Sequence, residues 1–242
     1  MKPRLVENRV ALLASWRTPW GVADVAVLPL PDALTPPEGE LARLVRDFQQ
    51  AHDDGDREAT AQALDTLCRV VAPEVARFCA FLAGPRVNPL DAAQETLLEI
   101  CRRLPSLREA GAIRPWVYSI ARHKVLAQRR WSWVRRWVPG VSLDETVDRR
   151  AGPHHEARLH HRAALVEQVL ERLPEEHRTA LVLHLMQGMS DSEVAACLGR
   201  KKTCAKSLIR RAKESFRKQA RALGCAHELA EVIDETDEEE GP

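Results

Sequence analysis

SDSEVAACLGRKKTCAKSLIRRAKESF, residues 190–216, decides how the rest of the chain is read. Ser190 followed three positions later by Glu193 is a capping box, so a helix starts there. Gly199 breaks it after two turns. A second helix then runs from about Lys202 to Ala222, with an apolar stripe at Ala205, Leu208 or Ile209, Ala212 and Phe216. Two helices around a short glycine turn predict a helix-turn-helix. The opposite face of the second helix carries Lys202, Thr203, Lys206, Ser207 and Arg210. Such a face offers charge to phosphates and donors to base edges, and a major groove admits one helix. The competing reading is a solvated basic helix in an ordinary bundle.

Working outward, every interpretable segment is helical. Glu175–Gln187, stopped by Gly188, and Ala164–Leu173 read as the helices preceding the motif. On the other side of PGVSLDETVDRRAGPHHEA (139–157), a polar and broken stretch that suits a linker, a helix starts near Pro115 and runs to about Arg135. Before it, PSLREAGA reads as a loop, Asp91–Arg103 as a short helix, and 57–83 as a helix that Pro73 should kink or restart. The spacing of Leu41, Leu44, Val45 and Phe48 gives one more helix face. Residues 1–40 are rich in proline and read as an irregular extension, with a short strand at Val25–Leu28. The fold class is therefore all-α, two small helical domains joined by a flexible linker, the second carrying the helix-turn-helix.

The 242 residues hold 36 Lys and Arg against 35 Asp and Glu, a net charge of +1 that conceals segregation. No acid occurs between Glu109 and Asp144, or between Glu193 and Glu214, whereas each interval holds seven basic residues. Beyond Arg221 there is no Lys or Arg, and the chain ends in ELAEVIDETDEEEGP. Two basic blocks and an acidic tail suggest a polyanion contacted at two places. The six cysteines form no CxxC pair, which favours a reducing, cytoplasmic compartment over a disulfide framework. No apolar run approaches the roughly 18 residues of a membrane span. His154-His155 and His160-His161 lack the spacing and companions of a metal site and read as linker histidines. No nucleophile elbow, P-loop or glycine-rich phosphate motif is present, so the chain reads as non-enzymatic and cofactor-free.

RRWSWVRRWVPG (129–140) interleaves Trp131, Trp133 and Trp137 with four arginines. Rings of this kind suit single-strand stacking, a membrane surface, or plain packing at the end of a helix. The segment is short and has no other membrane signal.

Four motifs, in order and spacing, resemble bacterial RNA polymerase sigma factors of the small, two-domain extracytoplasmic-function (ECF) group of the sigma-70 family. LERLPEEHRTALVLHLMQGMSDSEVAACLG (170–199) resembles the promoter-reading domain, and AKSLIRRAKESF (205–216) its recognition helix, typically VKSRLxRAR. DAAQETLLEICRRLPSLR (91–108) is similar to the polymerase-clamp helix, typically DLVQExFLRxWRxLxxFR. RPWVYSIARHKVLAQRR (114–130) is similar to the promoter-melting helix, typically RxWLYxIARNxxxDxxRR, and VAPEVARF (71–78) matches the preceding helix with its proline.

The resemblance implies core RNA polymerase and promoter DNA as partners, with an anti-sigma factor as a further one and no membrane insertion. It implies polymerase contact through Asp91, Gln94 and Glu95, and a flipped promoter base held with help from the loop 106–113. Melted DNA would lie along Arg114, Trp116, Tyr118, Arg122, Lys124, Arg129 and Arg130. This agrees with the residues themselves, since aromatic faces stack bases and basic side chains track a single strand. For Trp116 the plain alternative is a core ring. The resemblance does not assign the three tryptophans past Arg130. The sequence departs from the pattern at His123, Ala127 and Leu208, which stand where Asn, Asp and Arg are usual. These departures point to unusual promoter specificity or weaker DNA affinity.

The expected organisation is an extension (1–40), a sigma region 2-like domain (41–138), a linker (139–160), a sigma region 4-like domain (161–223) and an acidic tail (224–242). Two other readings remain open at this point. One is a helix-turn-helix regulator whose first half is a sensor or dimerisation unit. The other is a degenerate sigma-like protein that does not open promoters.

Overall fold

The computed structural model describes residues 39–84, 87–135 and 156–229. The expected strand at 25–28, the acidic end of the tail, most of the linker and Trp137 lie outside the described residues. All regular structure among the described residues is helical.

Four helices build the first unit: α1 (Glu40–Asp53), α2 (Arg57–Ala83), α3 (Pro89–Arg103) and α4 (Ile113–Arg135). Asp56 starts α2 by accepting hydrogen bonds from the Glu58 and Ala59 amides, both at 3.0 Å. Asn88 caps α3 in the same way, and Pro89 occupies its first turn, where a missing N–H costs nothing. The core is set by α2. Its Leu67, Val71, Val75, Phe78 and Leu82 are buried among α1, α3 and α4. Pro73 sits inside this helix without breaking it. A proline here removes one backbone hydrogen bond, but buried residues anchor the turns on both sides of it, and the helix runs on to Ala83. The stretch read as a loop, 105–112, is overlapped by two single 3₁₀ turns, Leu104–Ser106 and Ala110–Ala112. Leu104 and Leu107 bury themselves, and Gln49 of α1 donates to the Leu107 carbonyl at 2.6 Å.

The second unit comprises α5 (Glu156–Glu171), α6 (Glu175–Leu181), α7 (Asp191–Leu198) and α8 (Lys202–Ala222). Helix α5 begins at Glu156, inside the segment expected to be linker. The helix expected over 175–187 is two pieces: α6 ends at Leu181, and Val182–Met186 forms a π turn, closed by the Gln187 amide on the Val182 carbonyl at 3.1 Å. The buried Arg178 ties α6 to the end of α5, donating to the Leu170 and Glu171 carbonyls at 2.7 and 2.8 Å. The Leu170 carbonyl also accepts from the Leu173 amide at 3.1 Å, and a cation at a helix C-terminus is favourable.

The described cysteines are free, with Cys204 exposed and the rest buried. The Cys68 and Cys101 sulfurs touch at 3.6 Å between α2 and α3. Burial pushes the Cys79 and Cys197 thiols up to about 12, which makes them inert apolar residues. Among the described residues, no helix is long and apolar enough to cross a membrane.

Candidate nucleic-acid interface

The helix-turn-helix forms as its residues require. The Ser190 hydroxyl accepts from the Glu193 amide at 3.3 Å, and the Glu193 carboxylate accepts from the Ser190 amide at 3.0 Å. Gly199 ends α7 at φ 62°, a left-handed conformation that a Cβ would strain. Helix α8 then buries Ala205, Leu208, Ile209, Ala212 and Phe216 against α6 and α7. Lys202, Thr203, Lys206, Ser207 and Arg210 are all exposed on the outer face. Both Leu208 and Ile209 belong to the buried stripe. Leu208 therefore removes no donor from the outer face, because its position points into the core. Arg210 is paired along the helix with Glu214 at 2.7 Å, an exposed contact worth only a few tenths of a kcal/mol, about 0.3–0.5.

Helix α3 turns Ala92, Ala93, Thr96, Leu97 and Ile100 inward and leaves Asp91, Gln94 and Glu95 exposed on one side. Glu95 accepts from Gln128 of α4 at 3.0 Å. Glu99, one turn further on, is half-buried and gathers Arg103 at 2.8 Å and Lys124 at 3.3 Å. Lys124, expected on DNA, is thus held against α3.

Helix α4 distributes its expected DNA residues over different surroundings. Trp116 is half-buried and packs on the core. Arg129 donates to the Leu82 carbonyl at 3.4 Å, while Arg130 and Trp131 are exposed, the ring at 63%. Tyr118 corrects the expectation most clearly. It is 1% exposed, packed edge-to-face on Phe78 with centroids 5.0 Å apart, and cannot stack a base in this arrangement. Burial, followed by the Glu74 carboxylate beside it, holds its phenol well above the usual range, so it stays protonated. That single proton goes to Glu74 Oε2 at 2.7 Å. The Gln187 side-chain amide, as placed with its Oε1 toward the ring, lies 2.6 Å from the Tyr118 phenol oxygen. With the phenol proton committed to the carboxylate, the amide satisfies both groups by turning its Nε2 toward the phenol oxygen.

Arg114 completes the cluster. Its Nη2 donates to the Gln187 carbonyl at 2.6 Å, and its Nη1 lies 3.6 Å from Glu193 of α7. Glu74, Gln187 and Glu193 are functional-looking residues that the sequence reading missed. One of them left a signal: Glu74 is an acid on a helix face otherwise made of Val71, Val75 and Phe78.

Comparison with known proteins followed the same division. A family model for sigma-70 region 2 matches residues 67–134, and one for sigma-70 region 4 matches residues 163–216. The chain is 33% identical over 152 residues to the ECF RNA polymerase sigma factor SigD of Mycobacterium tuberculosis, covering 60% of this chain and 69% of that one. It is 31% identical over 155 residues to the ECF RNA polymerase sigma factor ShbA of Streptomyces griseus, covering 59% and 79%. The fold is similar to that of CnrH, solved with the cytosolic domain of CnrY, at TM-score 0.55 and 21% identity, over 75% of this chain and 97% of that one. It is also similar to the sigma factor RpoE of Bartonella quintana, solved with the anti-sigma factor NepR, at TM-score 0.51 and 20% identity, over 64% and 94%.

Proposed function

Since the chain belongs to the ECF group of the sigma-70 family, and so directs core RNA polymerase to promoters, we propose a division of labour between its two helical units. Residues 41–138 form the polymerase-binding and strand-melting unit, and 161–223 the upstream reader. The exposed side of α3, through Asp91, Gln94 and Glu95, docks on the polymerase. Helix α4 with the preceding 106–113 turn captures the melted strand, using Arg114, Trp116, Arg122, Lys124, Arg129 and Arg130, with Tyr118 available only after rearrangement. The α8 face of Lys202, Thr203, Lys206, Ser207 and Arg210 reads upstream duplex DNA. An anti-sigma factor is the expected inhibitory partner, by analogy with the complex of the RpoE neighbour with NepR. The compartment is that of the polymerase, the cytoplasm.

The observation that carries this reading is the sorting of α8, whose stripe of Ala205, Leu208, Ile209, Ala212 and Phe216 is buried and whose proposed readers are all exposed. Such sorting fits a helix offered to a groove. Lys206→Ala and Arg210→Ala test it on a promoter fragment selected from genomic DNA by the reconstituted holoenzyme. A lost phosphate contact weakens binding to all sequences and lowers the salt slope by about one unit; a lost base contact costs roughly 1–3 kcal/mol at one position. If both substitutions leave promoter binding unchanged, α8 is not the reader.

A further inference from the structure

Two thiols meet where α3 packs on α2. The Cys68 and Cys101 sulfurs touch at 3.6 Å, although the residues are 33 positions apart in the chain. They lie at the edge of the helix–helix contact and not at its centre. Cys68 is 5% exposed and Cys101 7%, and the next residues along each helix, Arg69 and Arg102, are exposed. Cys79, further along α2, is fully buried, and its burial keeps it a thiol. Cys101 also stands on the working edge of α3. It is seven residues beyond Gln94, which is two turns and about 10 Å along the same row.

We propose that Cys68 and Cys101 are an oxidation site: hydrogen peroxide converts the two thiols to a disulfide that tethers α3 to α2 and weakens docking on the polymerase. The switch rests on the reading of α3 as the docking helix and adds its regulation. The chemistry needs peroxide as its one co-reactant. One thiolate attacks a peroxide oxygen, the O–O bond breaks, and a sulfenic acid forms while the departing hydroxide takes up the thiol proton as water. The second sulfur then attacks the sulfenic sulfur. The S–S bond forms, the S–O bond breaks, and a second water leaves with the second thiol proton. Two thiols and one hydrogen peroxide give one disulfide and two waters, and two electrons pass from sulfur to oxygen. The second step requires adjacent sulfurs, and these touch before oxidation begins. A bond of about 2.05 Å requires the pair to close by about 1.5 Å. Each sulfur is carried by a helix fixed in the core, so closure draws the end of α3 toward α2 along the edge that holds Gln94. A binding constellation tolerates misplacement of only about 0.5 Å. In a reducing compartment such a bond is transient, and its reduction restores the docking edge.

The test uses the full chain with Cys204→Ser, which removes the exposed thiol on α8. The reduced protein is treated with hydrogen peroxide and desalted. One portion is alkylated with iodoacetamide and digested for mass spectrometry; another competes with labelled reduced protein for core polymerase. The expected digest contains a Cys68–Cys101 linked peptide, two hydrogens lighter than its separate halves, with Cys79 and Cys197 alkylated. The oxidised protein is expected to bind core polymerase about tenfold more weakly, a change of roughly 1.4 kcal/mol. Dithiothreitol should restore the affinity. Cys68→Ala, checked for folding by thermal melting, should bind equally before and after peroxide; if it does not fold, reversal by dithiothreitol in the unsubstituted pair decides alone. Absence of the linked peptide would overturn the switch. So would a linked protein that binds core polymerase as the reduced one does, or an equal loss of affinity in folded Cys68→Ala. Reduced protein that does not bind core polymerase at all would sink the docking reading of α3, and the switch with it, whether or not the linked peptide forms.

Discussion

Phe78→Ala is expected to cost the first unit about 3–5 kcal/mol, the usual range for truncating a fully buried phenylalanine. Phe78 is completely buried on α2 and supports the Tyr118 ring edge-on. Its removal deletes apolar burial and leaves a cavity under α4. A small domain loses about 4–8 °C of melting temperature per kcal/mol. A drop of roughly 10 °C or more by circular dichroism is therefore expected, and a drop under about 2 °C would show that the α2–α4 packing is not the core of this unit. The variant also reports on function. If Phe78 positions the Tyr118–Glu74 pair, strand capture should suffer even at temperatures where the protein remains folded.

The second large effect is on polymerase affinity. Gln94→Ala together with Glu95→Ala should leave the fold intact, because both side chains are exposed and the one bond lost, Gln128 to Glu95, is at the surface. Truncating an interface hot spot costs on the order of 2 kcal/mol or more. That corresponds to at least about a 30-fold weaker Kd. Competition for core polymerase against a labelled parent protein gives the number. Parental affinity in a normally folded double variant would remove α3 from the interface.

Where local rules decide an element, the sequence was enough. The Ser190/Glu193 box, Gly199 and the four-residue spacing of α8 each specify their structure without help from distant residues, and α7 and α8 form where expected. No new helix starts at Pro73, because local propensity lost to packing along both halves of α2. The π turn at 182–186 was illegible for a related reason. Residues 175–187 have an ordinary helical pattern, and only contacts with α2 and α7 distinguish the widened turn. The early start of α5 at Glu156 was hidden by a polar composition that suits a linker equally well. The proposed site shows the same division. The sorting of α3 and α8 into buried and exposed residues could be read from periodicity. The fate of Tyr118 could not, since it depends on Glu74, 44 positions away, and Gln187, 69 positions away. Leu208 looked like a defect in the recognition helix only while the direction of its side chain was unknown.

Run-off transcription from genomic fragments with purified core RNA polymerase, with and without this protein, is the most direct test of promoter-directing activity. Discrete transcripts with defined start sites are expected only when the protein is added, fading with Gln94→Ala/Glu95→Ala and with Lys206→Ala/Arg210→Ala. Binding to core polymerase without any protein-dependent start site would contradict this expectation, and would identify the chain as a sigma-like protein that does not open promoters.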